Sequence, residues 1–175
     1  IKNLLNYKRV PRRKHFTLSF QTTKNIYINP GSIDHLRTIK TKRAFVVTSR
    51  SAARRGHLSM VLERLPQDCR VDVFSEVGAE PEWATIQQAL QVMAQSMPDT
   101  VIALGGGSVL DAAKVMRLFH DYPDLKLKEI AFNFLDFRHR MAEFPKGVKT
   151  QLVAIPTTSG TGSEVTPFAV LKDSQ

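Results

Sequence analysis

The chain has 175 residues, of which 42% are hydrophobic and 23% charged, and these proportions indicate one soluble globular domain with a sizeable core. No apolar run approaches the roughly 20 residues of a membrane span, and the basic start lacks the pattern of a signal peptide, so no membrane partner is expected. Because the single cysteine, Cys69, cannot form an internal disulfide, we expect a cytoplasmic protein.

The net charge of +9 is concentrated at the start of the chain. The basic residues that precede the first acidic residue, Asp34, are Lys2, Lys8, Arg9, Arg12, Arg13, Lys14 and Lys24. Since the remaining 18 basic residues nearly balance 16 acidic ones, the body of the protein is almost neutral and no nucleic-acid partner is expected. We interpret residues 1–15 as a basic linker arm and residues 16–175 as one domain.

Two short strands are predicted at the start of this domain. Residues 16–20 alternate apolar and polar side chains, which is typical of an edge strand with one buried face. Residues 25–28 form a second strand, ended by the turn residues 29–31, so the two strands predict an antiparallel hairpin. Ser32 is then expected to cap a short helix over residues 33–39.

From residue 43 onward, predicted strands and helices alternate. Further strands are expected at residues 43–48, 70–74, 101–104, 151–155 and 165–171. Helices are expected at residues 51–65, 81–97 and 108–122, with a helical insertion within residues 125–147. This alternation predicts an α/β fold with a doubly wound, mainly parallel, Rossmann-like sheet that follows the N-terminal hairpin.

The most informative stretch joins one of these strands to a helix. Residues 101–104 are all apolar, as in a strand buried on both faces, and the glycines 105–107 follow. Ser108 is a candidate N-cap, and Asp111 three residues later complements the positive end of the helix. This arrangement gathers backbone N–H groups around an anion, usually a phosphate, and we expect the glycines to adopt positive φ. The alternative is a tight turn without a ligand, although three glycines lose more entropy than such a turn requires.

A second loop, over residues 157–163, is rich in hydroxyl groups and glycine and follows the strand at residues 151–155. Loops of this composition usually satisfy only their own backbone. Two such loops after two strands of one sheet nevertheless indicate a shared ligand, because ligands bind beyond the carboxyl ends of parallel strands.

Together the two loops carry a family resemblance. The sequences GGGSVLDAAK, at residues 105–114, and AIPTTSGTGSEVT, at residues 154–166, resemble the paired signature of the iron-dependent (group III) alcohol dehydrogenases. The basic arm resembles the linker within bifunctional aldehyde–alcohol dehydrogenases. The resemblance implies hydride transfer between NAD or NADP and a short-chain alcohol or aldehyde, with iron polarising the carbonyl.

The resemblance also implies roles for particular residues, none of them catalytic. It places the cofactor pyrophosphate at Gly106, Gly107 and Ser108, and it places Asp111 towards the nicotinamide. The second loop is expected to offer hydroxyl and N–H groups to the ribose and adenine. The residues expected to contact the dinucleotide from this loop onward are Thr157, Thr158, Thr166 and Phe168, the last through its backbone. For Asp111 a simple charge at the helix start is the alternative role. Lys114 is predicted either to approach a phosphate or to be solvated.

One cofactor position departs from the family pattern. After the first buried strand, relatives that use NAD commonly carry an aspartate that binds the ribose hydroxyls and repels a 2′-phosphate, and here that position is Ser49. Arg50, Arg54 and Arg55 follow and could pair with the phosphate. We therefore predict that NADP(H) is tolerated better than in those relatives. The alternative is that Ser49 only caps the helix and the arginines are solvated.

No metal site is predicted in this chain. Its five histidines are scattered, without an i,i+4 pair: His15, His35, His57, His120 and His139. The resemblance implies iron ligands in a helical domain that would follow this region. The 175-residue chain alone is thus expected to be inactive, and an uncovered apolar face is expected to make it a homo-oligomer. A fragment of a zinc-dependent polyol (glycerol-type) dehydrogenase and a non-catalytic assembly module remain alternatives.

Overall fold

The computed structural model describes residues 25–127, 149–166 and 169–172, and the strands in these segments form one parallel sheet. The strands are β1 (Arg43–Thr48), β2 (Arg70–Phe74), β3 (Thr100–Gly105) and β4 (Gln151–Pro156). Their order across the sheet is β2-β1-β3-β4, and each neighbouring pair is parallel. The predicted parallel α/β fold is confirmed.

The two central strands are buried along almost their whole length. Every residue of β3 is buried, and in β1 only Arg43 is exposed. A parallel strand covered on both faces has no solvent side, so its side chains are apolar without alternation. The buried hydroxyl of Thr48 is paired, since it donates a hydrogen bond of 2.8 Å to the carbonyl of Leu104.

Helices cover both faces of this sheet. They are a 3₁₀ helix (Ser32–Thr38), α1 (Arg50–Arg54), α2 (His57–Leu62), α3 (Trp83–Ser96) and α4 (Gly107–Asp121). Phe45 and Val47 of β1 pack on one face with the buried sides of α3 and α4. Val46, between them, packs on the other face with Leu36 of the 3₁₀ helix and Val61 of α2. Successive residues of a strand point to opposite faces, so β1 anchors both layers.

The helix predicted over residues 51–65 is two helices. Gly56 has a φ of +82°, which is the left-handed conformation that glycine adopts without steric cost, and it separates α1 from α2. At the 3₁₀ helix, the predicted cap residue Ser32 is already inside the helix and Gly31 is the N-cap. Ser32 instead donates its hydroxyl to the Asn29 carbonyl, 2.7 Å away.

The first and last predicted strands are not found in the described residues. Residues 25–28 form no strand, and the side chain of Ile28 is 76% exposed, while residues 16–20 lie outside the described segments. The hairpin is therefore not confirmed. The described part of residues 165–171 forms no strand either, and beyond it Lys172 makes one isolated bridge to Glu82. The basic arm and most of the predicted helical insertion, residues 128–147, also lie outside. No described helix is long and apolar enough to cross a membrane.

Candidate functional site

A cleft of about 640 Å³ opens beyond the carboxyl ends of β1 and β3. The chain leaves β1 towards β2 on one side and leaves β3 towards β4 on the other, so the strand order reverses between them. Open parallel sheets bind their ligands at such a reversal. The cleft is lined by Ser49 to Ser51, Arg54, residues 75–79, Gly106, Ser108 and Val109.

The glycine turn between β3 and α4 leaves little room for side chains. A Cβ on Gly105 would lie 2.6 Å from Cγ2 of Val109, and one on Gly106 would lie 3.2 Å from Oγ1 of Thr158. A Cβ on Gly107 would lie 3.3 Å from Cγ2 of Thr161. None of these three glycines has a positive φ, so the predicted left-handed turn is wrong. Glycine is needed here because other parts of the protein approach the backbone closely.

α4 begins directly at this turn. Its N-cap is Gly106, whose carbonyl accepts hydrogen bonds from the N–H groups of Val109 and Leu110, at 3.0 and 3.1 Å. Ser108, the predicted cap, lies within the first helical turn and donates its hydroxyl to the Ala79 carbonyl at 2.5 Å. The first N–H groups of a helix have no partner within the helix, so this end of α4 favours an anion.

The second loop lies against the glycine turn. The N–H of Thr157 donates a hydrogen bond of 2.9 Å to the carbonyl of Gly105, where β4 ends beside β3. The loop turns back through Gly160 and Gly162, which have φ values of +89° and +64°. Its hydroxyl side chains therefore stand next to the turn at which α4 starts.

Behind these loops, Asp111 and Lys114 of α4 are tied to the second loop. One oxygen of the Asp111 carboxylate accepts the Ser163 hydroxyl and lies 2.9 Å from Nζ of Lys114, and the other accepts the N–H of Val170 at 3.0 Å. Lys114 also donates to the carbonyls of Ser163 and Thr166, at 3.0 and 3.2 Å. Burial raises the pKa of Asp111, but the hydrogen bonds from Ser163, Lys114 and Val170 outweigh it and hold that pKa below its ordinary value.

We call Asp111, Lys114 and Ser163 the α4 cluster. The side chain of Lys114 is only 15% exposed, so the prediction that it is solvated is wrong. The cluster joins α4 to the second loop, and Asp111 and Ser163 are 52 residues apart in the sequence. Its position fixes the second loop relative to the start of α4.

At the far wall of the cleft, Ser49 follows β1 and is the N-cap of α1. Its Oγ accepts the N–H of Ala52 at 3.3 Å and lies 3.0 Å from Oγ of Ser51. The alternative in which Ser49 caps the helix is confirmed, and the same residue also lines the cleft. Arg50 forms an ion pair with Glu76, and this hydrogen-bonded pair lowers the pKa of Glu76 and raises that of Arg50.

The predicted cofactor residues occupy different parts of this site. Ser49, Gly106 and Ser108 line the cleft, whereas Gly107, Thr157 and Thr158 lie where the two loops meet. Asp111 and Thr166 contact Lys114 at the α4 cluster, and Phe168 lies outside the described residues. Their contacts with a dinucleotide remain predictions.

Sequence reasoning missed one wall of the cleft, residues 75–79. Ser75 and Glu76 follow the carboxyl end of β2, and the Ala79 carbonyl accepts the hydroxyl of Ser108. The sequence did offer one indication of this wall. Residues 75–79 follow a predicted strand and so leave the same edge of the sheet as the two loops that were predicted to bind the ligand.

The described residues do not provide a metal centre. Within residues 25–127, 149–166 and 169–172, no three His, Cys, Asp or Glu side chains are grouped to hold an ion. The histidines in these segments are far apart along the fold: His35 in the 3₁₀ helix, His57 at the start of α2 and His120 near the end of α4. Iron therefore does not fit the residues described.

Comparison with known proteins is consistent with this site. Residues 23–175 match the family model of the iron-containing alcohol dehydrogenases. The chain is 40% identical over 178 residues to the aldehyde-alcohol dehydrogenase of Streptococcus pneumoniae serotype 4 and to the bifunctional aldehyde-alcohol dehydrogenase AdhE of Escherichia coli K12. Each alignment covers 98% of this chain and 20% of the relative, so the chain spans about a fifth of their length.

A solved structure shows the same similarity. The iron-containing alcohol dehydrogenase of Thermococcus thioreducens superposes with a TM-score of 0.79 at 34% identity. The match covers 89% of this chain and 41% of that one. The fold described above therefore has a counterpart in an iron-containing alcohol dehydrogenase.

Proposed function

The chain belongs to the iron-containing alcohol dehydrogenase family, and from this premise we propose that it is the dinucleotide-binding part of an enzyme that reduces short aldehydes to alcohols. Members of the family are enzymes that use NAD(P) and iron. The observation that carries the proposal is the glycine turn at the strand-order reversal, with the hydroxyl-rich second loop packed against it.

The site suits a dinucleotide whose pyrophosphate lies at the glycine turn. We expect the pyrophosphate at Gly106, Gly107 and Ser108, where the start of a 15-residue helix favours negative charge. The adenosine would lie along the wall that contains Ser49, because that wall belongs to the same cleft. The second loop, whose contact residues include Thr158, would offer hydroxyl and N–H groups to the ribose and adenine, and the nicotinamide would lie towards Asp111.

The chemistry of hydride donation belongs to the bound cofactor, and this chain binds and orients it. The expected contacts beyond the turn come from Thr157, Thr166 and Phe168. Asp111 holds the second loop in place, since its carboxylate accepts hydrogen bonds from the Ser163 hydroxyl and from the N–H of Val170. A fixed second loop limits the orientations open to the bound dinucleotide. Such positioning lowers the activation barrier for hydride transfer.

The described residues do not fit iron, and we derive no iron-dependent step from them. We propose that the 175-residue chain alone does not oxidise ethanol and binds no stoichiometric metal. The check is elemental analysis of the purified chain together with an assay of ethanol turnover. Stoichiometric iron or zinc with turnover would contradict this part of the proposal. Self-association is also expected, because apolar side chains such as Ile28 are largely exposed, and size-exclusion chromatography measures it.

Dinucleotide binding is tested at the glycine turn by calorimetry with NADH and NADPH. Gly107→Val should abolish measurable binding, because the new side chain fills the space that the pyrophosphate needs. A Cβ at this position also meets Thr161, 3.3 Å away, so the second loop would move as well. The double variant Gly107→Ala/Thr161→Ser separates these effects, since serine lacks the methyl group that the new Cβ would approach.

Thr161→Ser alone is the matched control and should bind as the wild type does. We expect the double variant to be folded by circular dichroism and to bind both cofactors at least tenfold more weakly than the control. A folded double variant with wild-type affinity for both cofactors would show that the pyrophosphate does not lie at this turn.

A further inference from the structure

The cleft wall beside Ser49 carries an unbalanced positive charge. Its charged side chains are Arg50, Arg54 and Glu76. Arg50 and Glu76 form an ion pair, in which both guanidinium nitrogens Nε and Nη2 face the carboxylate. The exposed side chain of Arg54 makes no hydrogen bond or ion pair with any described residue. Arg54 therefore carries the one positive charge among these three side chains that is available to bind an anionic ligand.

We propose that Arg54, with the hydroxyl of Ser49, binds the 2′-phosphate of NADP(H), so that the protein prefers NADP(H) to NAD(H). This rests on the proposed function, because it assigns the adenosine end of the same cleft. A guanidinium group binds a phosphate through two parallel hydrogen bonds, which makes arginine the residue best suited to this contact. Sites that select NAD place a carboxylate at the ribose instead, and position 49 has none.

The hydroxyl of Ser49 can take part without leaving its present contacts. Oγ of Ser49 accepts the N–H of Ala52, and it lies 3.0 Å from Oγ of Ser51. A serine hydroxyl has one proton to donate and two lone pairs. When Ser51 donates to Ser49, the proton of Ser49 is available to a phosphate oxygen, so the α1 cap and the ligand contact are compatible.

Glu76 is the opposing charge on this wall, and Arg50 controls it. While the pair is formed, the Glu76 carboxylate is neutralised and does not repel a 2′-phosphate. Removing Arg50 would expose that carboxylate to the ligand, whereas removing the charge of Glu76 would release Arg50 as a second phosphate donor. The two residues should therefore change the affinity for NADPH in opposite directions.

The experiment measures the affinity of the full 175-residue chain for NADPH and NADH by calorimetry at one fixed, low salt concentration, because salt screens exposed charges. We expect NADPH to bind at least tenfold more tightly than NADH. Arg54→Gln should remove this advantage and leave the affinity for NADH within about twofold. Arg55→Gln is the matched control, since Arg55 is the next residue and does not line the cleft, and it should change neither affinity.

Three further variants test the charge arrangement. Glu76→Gln should increase the affinity for NADPH, and Arg50→Gln should decrease it. Arg54→Lys should retain only part of the preference for NADPH over NADH, because lysine cannot form the bidentate contact with a phosphate. Binding of NADH that equals or exceeds that of NADPH would overturn the inference and leave the proposed function intact. If neither dinucleotide binds to the folded chain, both fail.

Discussion

The carboxylate of Asp111 and the ammonium group of Lys114 lie 2.9 Å apart on one turn of α4, and both side chains are 15% exposed. Lys114 also holds the carbonyls of Ser163 and Thr166, and Asp111 holds the N–H of Val170. The pair thus connects the helix that starts at the glycine turn to the loop that lies against this turn. Removing one partner would leave the other charge buried, which is more costly than losing an exposed ion pair.

We therefore predict that Lys114→Met lowers the free energy of unfolding by about 2–4 kcal/mol, somewhat below the range for fully buried pairs. Urea denaturation measures it. Lys172→Met is the matched control, because Lys172 pairs with Glu80 at 56% and 74% exposure and should contribute less than about 1 kcal/mol. Equal losses in the two variants would show that the α4 cluster adds nothing to stability.

The second prediction concerns the stability of the protein at low pH. Burial raises the pKa of Asp99, but hydrogen bonds from the Thr41 hydroxyl and the N–H groups of Lys42 and Arg43 hold it below its ordinary value, as in Asp111. A carboxylate with a lowered folded pKa contributes stability that is fully present above the unfolded value of about 3.9. This contribution is lost as the pH falls through the folded pKa, because the unfolded chain then binds more protons.

The free energy of unfolding should accordingly fall steeply below about pH 4, with Asp99 and Asp111 contributing. Urea denaturation between pH 6 and pH 2.5 measures the slope. Asp99→Asn, which has no carboxylate to protonate, should be less stable at pH 6 and should lose less stability on acidification. A variant that follows the wild-type curve at every pH would exclude Asp99 as a source of acid sensitivity.

The third prediction tests the close packing at Gly105. A Cβ there would lie within 3.0 Å of three carbon atoms of Val109, a residue that is 3% exposed and belongs to the core. Valine is stiff at χ1 and cannot turn away easily, so Gly105→Ala should destabilise the protein by about 1–3 kcal/mol. Gly78→Ala is the control, because its Cβ would meet nothing within 4 Å among the described residues. Thermal denaturation of both variants compares them.

Gly105→Ala/Val109→Gly checks the cause, because alanine at position 109 would keep the Cβ that lies 2.7 Å away. If the clash is responsible, the double variant should lose less stability than the sum of the two single variants, since residues in contact are not additive. Strict additivity would place the cost of Gly105→Ala in the backbone instead.

The strands could be predicted from the sequence because a buried parallel strand has a simple pattern. β1 and β2 begin and end at the predicted residues, and β4 extends one residue beyond the prediction. β1 and β4 are runs of apolar or β-branched side chains bounded by polar residues or proline, whereas β2 alternates Val71 and Val73 with the polar residues Arg70 and Asp72. The break between α1 and α2 could not be predicted in the same way. Gly56 is its local signal, because a left-handed glycine commonly follows the end of a helix, but a glycine can also lie inside a helix, and the sequence does not distinguish the two.

The candidate site, too, could be predicted only in part. The position of the glycine turn follows from its sequence, but the reason for its glycines does not. Thr158 and Thr161, which leave little room for side chains, come from a loop some fifty residues later. The partners of Lys114 and the pairing of Arg50 with Glu76 likewise join distant segments, and no local pattern encodes such contacts.

The last prediction returns to Ser49 and the choice of cofactor. Ser49→Asp should retain the fold, because aspartate is as good an N-cap as serine for α1. Its carboxylate would repel a 2′-phosphate and could accept hydrogen bonds from the ribose hydroxyls of NAD(H). Discrimination should shift towards NAD(H) by about 1–3 kcal/mol, the range of hydrogen bonds to charged groups.

Ser49→Asn is the matched control, because asparagine caps a helix equally well and has nearly the shape of aspartate without its charge. Affinities for NADH and NADPH, measured on both variants and the wild type at one salt concentration, isolate the effect of charge. Asparagine, whose amide N–H can donate to the phosphate in place of the hydroxyl, should shift the ratio of the two affinities much less than aspartate does. A shift of equal size in both variants would assign the discrimination to shape, and a wild type that already rejects NADPH a hundredfold would contradict the prediction, since Ser49 and Arg54 would then not favour the phosphate.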